Sequence, residues 1–383
     1  MTAAQLASTL IAIPSENPGP LDTDPAARYE ADLADFIAAH LAGQGLDVVR
    51  QPVLPGRDNI TATIPGRNPS VLLLDAHMDT VPGENMDIEP FSGELRDGRV
   101  WGRGACDTKG TLAAMIHALG RLAADPEGPA PTVVFVATVD EEAHFRGMSR
   151  FVQDFAGADG AIVGEPTSLK LAVATKGAAR WQIRTRGVAA HTCHPHRGVN
   201  AIYAMCRVVG AIESRLIPSL ASRVHPLVGP PVLSVSIIRG GRRVNIVPDD
   251  CTIELDRRIV PGEDPQEALA EVERLLNELR AEDPGLNVEM LPPRTCLLGT
   301  QASESDEVVR AARRASLSVL GRGDLIGVAY STHASVLAQR GIPSVVFGAG
   351  SPDQAHAASE FVPVEEVERA SDVIFEVCKT FGT

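Results

Sequence analysis

Apolar residues run unbroken through several short stretches of the chain and recur at helical spacing in others. Leu72-Leu73-Leu74, Val133-Val134-Phe135-Val136, Ala161-Ile162-Val163 and Val345-Val346-Phe347 are too short for helices and show no polar alternation, the pattern of strands covered on both faces. Between them, Ala26 to Gly45 (with Leu33, Phe36, Ile37 and Leu41) and Thr108 to Leu122 repeat at the helical period. This alternation predicts an α/β layer built on a mostly parallel sheet. After Lys176 the pattern changes. Trp181 to Arg186 alternates, Val199 to Leu216 is helical, Val232 to Ile238 and Cys251 to Ile259 alternate, Pro265 to Leu279 is helical, and a short strand fits Leu286 to Leu291. That β-α-β-β-α-β order predicts an inserted ferredoxin-like α+β domain. From about Thr295 the α/β alternation resumes. The expected organisation is a discontinuous first domain, residues 1–175 and 293–383, interrupted by a second at 176–292.

A length of 383 residues exceeds what one hydrophobic core usually serves, in keeping with two domains. A formal net charge of -14 argues against nucleic acid or an anionic membrane surface as partner, since both require clustered Lys and Arg. Cys106, Cys193, Cys206, Cys251, Cys296 and Cys378 are scattered and form no C-x-x-C pair, which predicts reduced thiols and neither structural zinc nor a disulfide framework. No Lys or Arg precedes Arg28 and no apolar run approaches membrane-spanning length, so the protein is expected in the cytoplasm.

The chemistry lies where the apolar runs end. The first leads into His77-Met78-Asp79, the second into Asp140-Glu141-Glu142, the third into Glu165, and the fourth into a loop holding His356. In open α/β sheets ligands collect beyond the carboxyl ends of the strands, and these residues sit there. So many carboxylates at one edge repel one another unless cations intervene. With Asp107, Glu142 and Glu165 as ligands and Glu141 free, a charge of -4 matches two divalent ions at +4. Mixed His and carboxylate ligation suits zinc, with cobalt or manganese as substitutes. Asp107, in a Gly-rich turn that opens a helix, either bridges two metals through its two oxygens or simply caps that helix. Adjacent Glu141 and Glu142 point to opposite sides of an extended chain, so one can bind metal while the other serves as general base. Asp79 is the expected acceptor fixing the His77 tautomer. His117, on a helix, reads as structural.

Taken together, Asp75-Ala76-His77-Met78-Asp79-Thr80-Val81-Pro82, Trp101-Gly102-Arg103-Gly104-Ala105-Cys106-Asp107-Thr108-Lys109-Gly110, Asp140-Glu141-Glu142, Gly164-Glu165-Pro166-Thr167 and Gly187-Val188-Ala189-Ala190-His191-Thr192 resemble the motifs of the M20 metallopeptidase family. That group includes acetylornithine deacetylase, succinyl-diaminopimelate desuccinylase, aminoacylases and glutamate carboxypeptidase. The resemblance implies two zinc ions, one held by His77, Asp107 and Glu165 and the other by Asp107, Glu142 and His356, with Glu141 as base. It also implies a lid domain that mediates homodimerisation, a His191 that reaches the partner's active site to stabilise an oxyanion, and Asn245 and Arg258 as contacts to a substrate carboxylate. One departure stands out: Ser331-Thr332-His333 replaces the family's usual Thr-Asp. The function implied is removal of the acyl group from an N-acyl amino acid, in the manner of acetylornithine deacetylase. The alternatives are a dipeptidase or carboxypeptidase of the same fold, and a non-catalytic binding protein that has kept it.

Overall fold

The computed structural model describes residues 1–19 and 28–383. Contacts divide the chain into two compact units, Met1–Val173 with Gln301–Ile326 and Thr332–Thr383, and Ala174–Thr300 with Gly327–Ser331.

The first unit is built on the sheet that the unbroken apolar runs predict. Strand Val71–His77 lies parallel to Thr132–Thr138 on one side and to Gly160–Val163 on the other, and Ser344–Val346 continues the parallel set. Beyond Thr132–Thr138 the edge turns antiparallel through Arg57–Ile64 and Val48–Leu54. Leu72, Leu73, Leu74, Val133, Phe135, Val136, Ile162 and Val345 are almost fully buried, as strands covered on both faces require. The helix predicted from Thr108 begins at Gly110 and runs to Ala124. Its Leu112, Met115, Ile116 and Leu119 have no exposed surface, and burial stabilises each by about 1.5–3 kcal/mol relative to exposure. It packs against helices Ala3–Ile11 and Val364–Thr380. The earlier helix spans Ala31–Gly43, while the Ala26 and Ala27 of its predicted start lie outside the described residues.

The second unit follows the predicted order. Strand Gly177–Arg186, helix Ala201–Ala211, strands Val232–Gly240 and Asp250–Ile259, helix Pro265–Glu282 and strand Asn287–Met290 follow one another along the chain. Its antiparallel sheet has Asp250–Ile259 and Gly177–Arg186 at the centre and Val232–Gly240 and Asn287–Met290 at the edges. Trp181, Ile183, Ile253 and Leu255 point from the central strands onto Val208, Val272 and Leu276 of the helices, a core separate from that of the first unit. Thr295–Leu297 also pairs with Gly177–Arg186, so the chain leaves this unit after Thr300 and not at residue 292.

Candidate metal centre

Because the strands of the first unit run parallel, their carboxyl ends bring together residues far apart in sequence. His77 is the last residue of its strand and is buried. Its Nε2 lies 3.0 Å from Asp107 Oδ1. The other Asp107 oxygen, Oδ2, lies 3.2 Å from His356 Nε2, which is also 3.2 Å from Glu142 Oε1. Donor atoms of His77, Asp107 and Glu142 all fall within 4.8 Å of one another, a spacing that one cation can span. Glu165, 5 % exposed, follows strand Gly160–Val163 at the same edge. Asp107 does not cap the helix that starts at Gly110. Its two oxygens face two different histidines instead.

The turn around Asp107 is held from behind. Glu360, fully buried, accepts the backbone N–H groups of Cys106 (2.9 Å) and Asp107 (3.1 Å) and is itself paired with Arg103 at 2.6 Å. Gly104 has φ +81°, and a Cβ there would stand 2.6 Å from Thr80 Cγ2, so the close approach of this turn depends on the missing side chain.

His77 Nδ1 donates to the backbone carbonyl of Asp79 at 2.8 Å, while the Asp79 carboxylate stands 3.6 Å off. The main-chain carbonyl takes the Nδ1 proton, and the carboxylate expected to fix the tautomer stands beside the same nitrogen. The carboxylate is occupied elsewhere: Oδ1 accepts the N–H of Glu141 and Oδ2 that of Glu142, both at 3.0 Å, and Asn17 Nδ2 donates to Oδ2 at 2.7 Å. Burial pushes the Asp79 carboxyl up, but His77, Asn17 and the Glu141 amide outweigh it and hold it at about 2. Asp79 thus anchors the two residues that carry the second strand's chemistry.

Electrostatics favour cations here. Burial, reinforced by the neighbouring carboxylates, drives the Glu141 and Glu165 carboxyls well above the usual range. Hydrogen bonds to Asp107 and Glu142 hold His356 up at about 10. Among the described residues the ion-pair partners of Asp107 and Glu142 are histidines alone. A carboxylate-rich, imidazole-containing cluster of this kind, with no Lys or Arg to neutralise it, fits divalent metal.

His191, Asn245 and Arg258 belong to the second unit. His191 is exposed, pairs with Ile246 through an isolated bridge and accepts the Cys193 N–H on Nδ1 at 3.2 Å. Asn245 is exposed, and its carbonyl accepts the Thr192 N–H, so it adjoins the His191 loop. Arg258 is tied to Asp256 at 2.8 Å. Lys176, which the sequence did not single out, is held below the usual lysine range by burial and by the Arg258 charge, so two cations share that part of the unit. His117, expected to be structural, bonds Ser371 at 2.8 Å.

The sequence profile of peptidase family M20/M25/M40 matches residues 73–380. The chain belongs to this family. As a member of it the chain is a metal-dependent hydrolase of amide bonds. It is similar to an acetylornithine deacetylase of Myxococcus xanthus, 30 % identical over 356 residues that cover 91 % of each chain. Among solved structures it resembles an M20 family metallo-carboxypeptidase from Sulfolobus solfataricus, with TM-score 0.81, 18 % identity and 99 % of both chains covered. It also resembles a dinuclear metal-binding M20 peptidase from Bacillus subtilis, with TM-score 0.72 and 18 % identity over 98 % of this chain and 96 % of that one.

Residues that sequence reasoning missed surround the centre. Asn17, Glu30, Arg57 and Glu360 are buried polar groups without a motif of their own, and Arg103 lies within one of the motifs but was given no role. Their sequence neighbours are largely polar or glycine and proline, so nothing local marks them as buried. His333, at the departure from the family pattern, is also buried, and its Nδ1 lies 2.9 Å from Asp75 Oδ2.

Proposed function

We propose that this M20 enzyme is a dinuclear zinc deacylase of N-acyl amino acids, with an activity like that of acetylornithine deacetylase. The carrying observation is the convergence of His77, Asp107, Glu142 and His356 at one sheet edge, with both Asp107 oxygens engaged by different histidines. In this reading His77, Asp107 and Glu165 hold one zinc, and Asp107, Glu142 and His356 hold the other. The dinuclear metal-binding peptidase of B. subtilis shares the fold, and the count of two rests on Asp107 presenting one oxygen to each histidine. When bound, the cations polarise the scissile carbonyl and lower the pKa of water at the site. Glu141 takes the proton from the attacking water and returns it to the leaving amine. Asp79 holds the Glu141 and Glu142 backbone in place for this transfer. His191, reaching the site from a partner subunit, donates to the developing oxyanion. Asn245 and Arg258 bind the substrate carboxylate, for which the guanidinium fork of Arg258 is suited once it exchanges Asp256 for substrate.

The relatives named acetylornithine deacetylase support acetyl as the acyl group. The metallo-carboxypeptidase likeness, at 18 % identity, carries the fold alone. The enzyme is proposed to work in the cytoplasm as a homodimer joined through its second unit. No helix among the described residues is long and apolar enough to cross a membrane. The deciding experiment assays zinc- and cobalt-loaded enzyme against acetyl, succinyl, formyl and aminoacyl derivatives of several amino acids. Fastest turnover is expected on an acetyl amino acid. A clear preference for aminoacyl substrates would assign the chain to the dipeptidases instead, and no hydrolysis of any would make it a binding protein.

A further inference from the structure

Strand Thr132–Thr138 delivers its chemistry through a turn that the backbone resists. Asp140, immediately before Glu141 and Glu142, has φ +65°, in the left-handed region that few non-glycine residues adopt. Such a conformation persists where its surroundings over-determine it. Here they do. The Asp140 carboxylate, fully buried, accepts from Arg146 Nε at 2.5 Å and Nη2 at 3.0 Å, from Asn17 Nδ2 at 3.3 Å and from Arg57 Nη2 at 3.5 Å. Its backbone N–H donates to Glu30 Oε1 at 3.3 Å, and its carbonyl accepts the N–H groups of His144 and Phe145.

Behind this turn lies a pair with no part in the chemistry described so far. Glu30 has no exposed surface and Arg57 is 4 % exposed. The Arg57 guanidinium grips both Glu30 oxygens, with Nε on Oε2 at 2.5 Å and Nη2 on Oε1. Burying two charges is expensive, and replacing such a pair by apolar residues is often neutral or stabilising. Stability is therefore a weak reason for it. Both members instead reach Asp140, Arg57 at the side chain and Glu30 at the backbone. Asn17 then links Asp140 to Asp79, whose carboxylate holds the N–H groups of Glu141 and Glu142. All of these contacts converge on one short segment.

We propose that the buried Glu30–Arg57 pair is a positioning device for the reaction: acting through Asp140, it fixes the turn that aims Glu141 and Glu142 into the metal centre. The inference rests on the reading of Glu141 as base and Glu142 as ligand. Neither Glu30 nor Arg57 touches substrate. They limit the freedom of the two carboxylates, for which a displacement of about 1 Å can lower the rate on the order of 100-fold.

The test compares Arg57→Met, Arg57→Lys and Glu30→Gln with the unmodified full-length enzyme and with Glu141→Gln. Cobalt-loaded protein reports ligand geometry through its visible absorption, and cation titration reports affinity. Arg57→Met is expected to lower kcat about 10–100-fold with KM within about threefold, and to weaken the second cation by about 10–100-fold, the usual effect of removing support behind a ligand. The cobalt spectrum should shift. Arg57→Lys, which keeps a cation against Asp140, should recover part of all three, and Glu30→Gln should lose activity in the same sense. Should Arg57→Met fail to fold, Glu30→Gln and Arg57→Lys carry the comparison. Unchanged kcat, cobalt spectrum and second-cation affinity in the folded variants, with Glu141→Gln inactive, overturn the positioning role. An active Glu141→Gln overturns instead the reading of the base.

Discussion

Two adjacent carboxylates, Glu141 and Glu142, are divided in task by their surroundings. Glu142 bonds His356, whereas Glu141 is tied to the rest of the site through its backbone, at Asp79. Glu141→Gln keeps the shape and removes the base, so kcat should fall by about 100–10,000-fold while zinc content by elemental analysis stays unchanged. A second expectation concerns protons. Without cations, hydrogen bonds to Asp107 and Glu142 hold His356 up at about 10, so it keeps a proton near neutral pH that metal must displace, and burial pushes the Glu141 and Glu165 carboxyls in the same direction. Because the metal-free state holds more protons, cation affinity falls as pH drops, and adding zinc to weakly buffered, metal-free protein should acidify the solution. A glass electrode checks the sign. The residues behind these effects were unequally legible. His77, Asp107, Glu141, Glu142, Glu165 and His356 could be picked out because each follows an apolar run or a Gly-rich turn. Asn17, Glu30 and Arg57 could not, since each is a single polar residue whose meaning depends on a partner distant in sequence.

At the scale of elements, parallel pairing does the assembling. A register of Leu74↔Phe135 and Leu74↔Ile162 sets the ends of three strands level, so that the loops leaving them meet at one edge. Helix Gly110–Ala124 fixes the fourth contributor, the turn that holds Asp107, by burying its apolar face against its neighbours. Leu119→Ala removes a fully buried side chain from that face and should destabilise the first unit by about 2–5 kcal/mol, visible as an earlier thermal transition. Specific activity at low temperature should remain close to normal, since Leu119 is not among the candidate ligands and lies toward the far end of the helix from Asp107. Element type was legible from periodicity in the central strands, in two helices of the first unit and in the ferredoxin-like order of the second, whereas helices Ala3–Ile11, Glu307–Leu320 and Val364–Thr380 and strands Val48–Leu54 and Arg57–Ile64 were not assigned. Element ends were not legible. The stretch Thr295–Leu297 resembles the start of the next strand of the first unit by composition, and only hydrogen bonding to Gly177–Arg186 assigns it to the second unit's sheet.

At the scale of the whole molecule, the proposed role of His191 requires two copies. Light scattering on the metal-loaded enzyme should give the mass of a dimer of the 40.5 kDa chain, and a strictly monomeric, fully active enzyme would contradict a histidine donated across subunits. The second unit is nearly continuous in sequence, whereas the first is closed by segments from both sides of it. That arrangement sets an order of events on the ribosome. His77, Asp107, Glu142 and Glu165 emerge before the inserted unit, which can complete its own core while they wait, and His356 arrives only after that unit has been made. During that interval the nascent chain carries an acidic, half-built cluster with one imidazole missing. Metal captured then would be held loosely, and secure loading awaits the returning segment that brings His356.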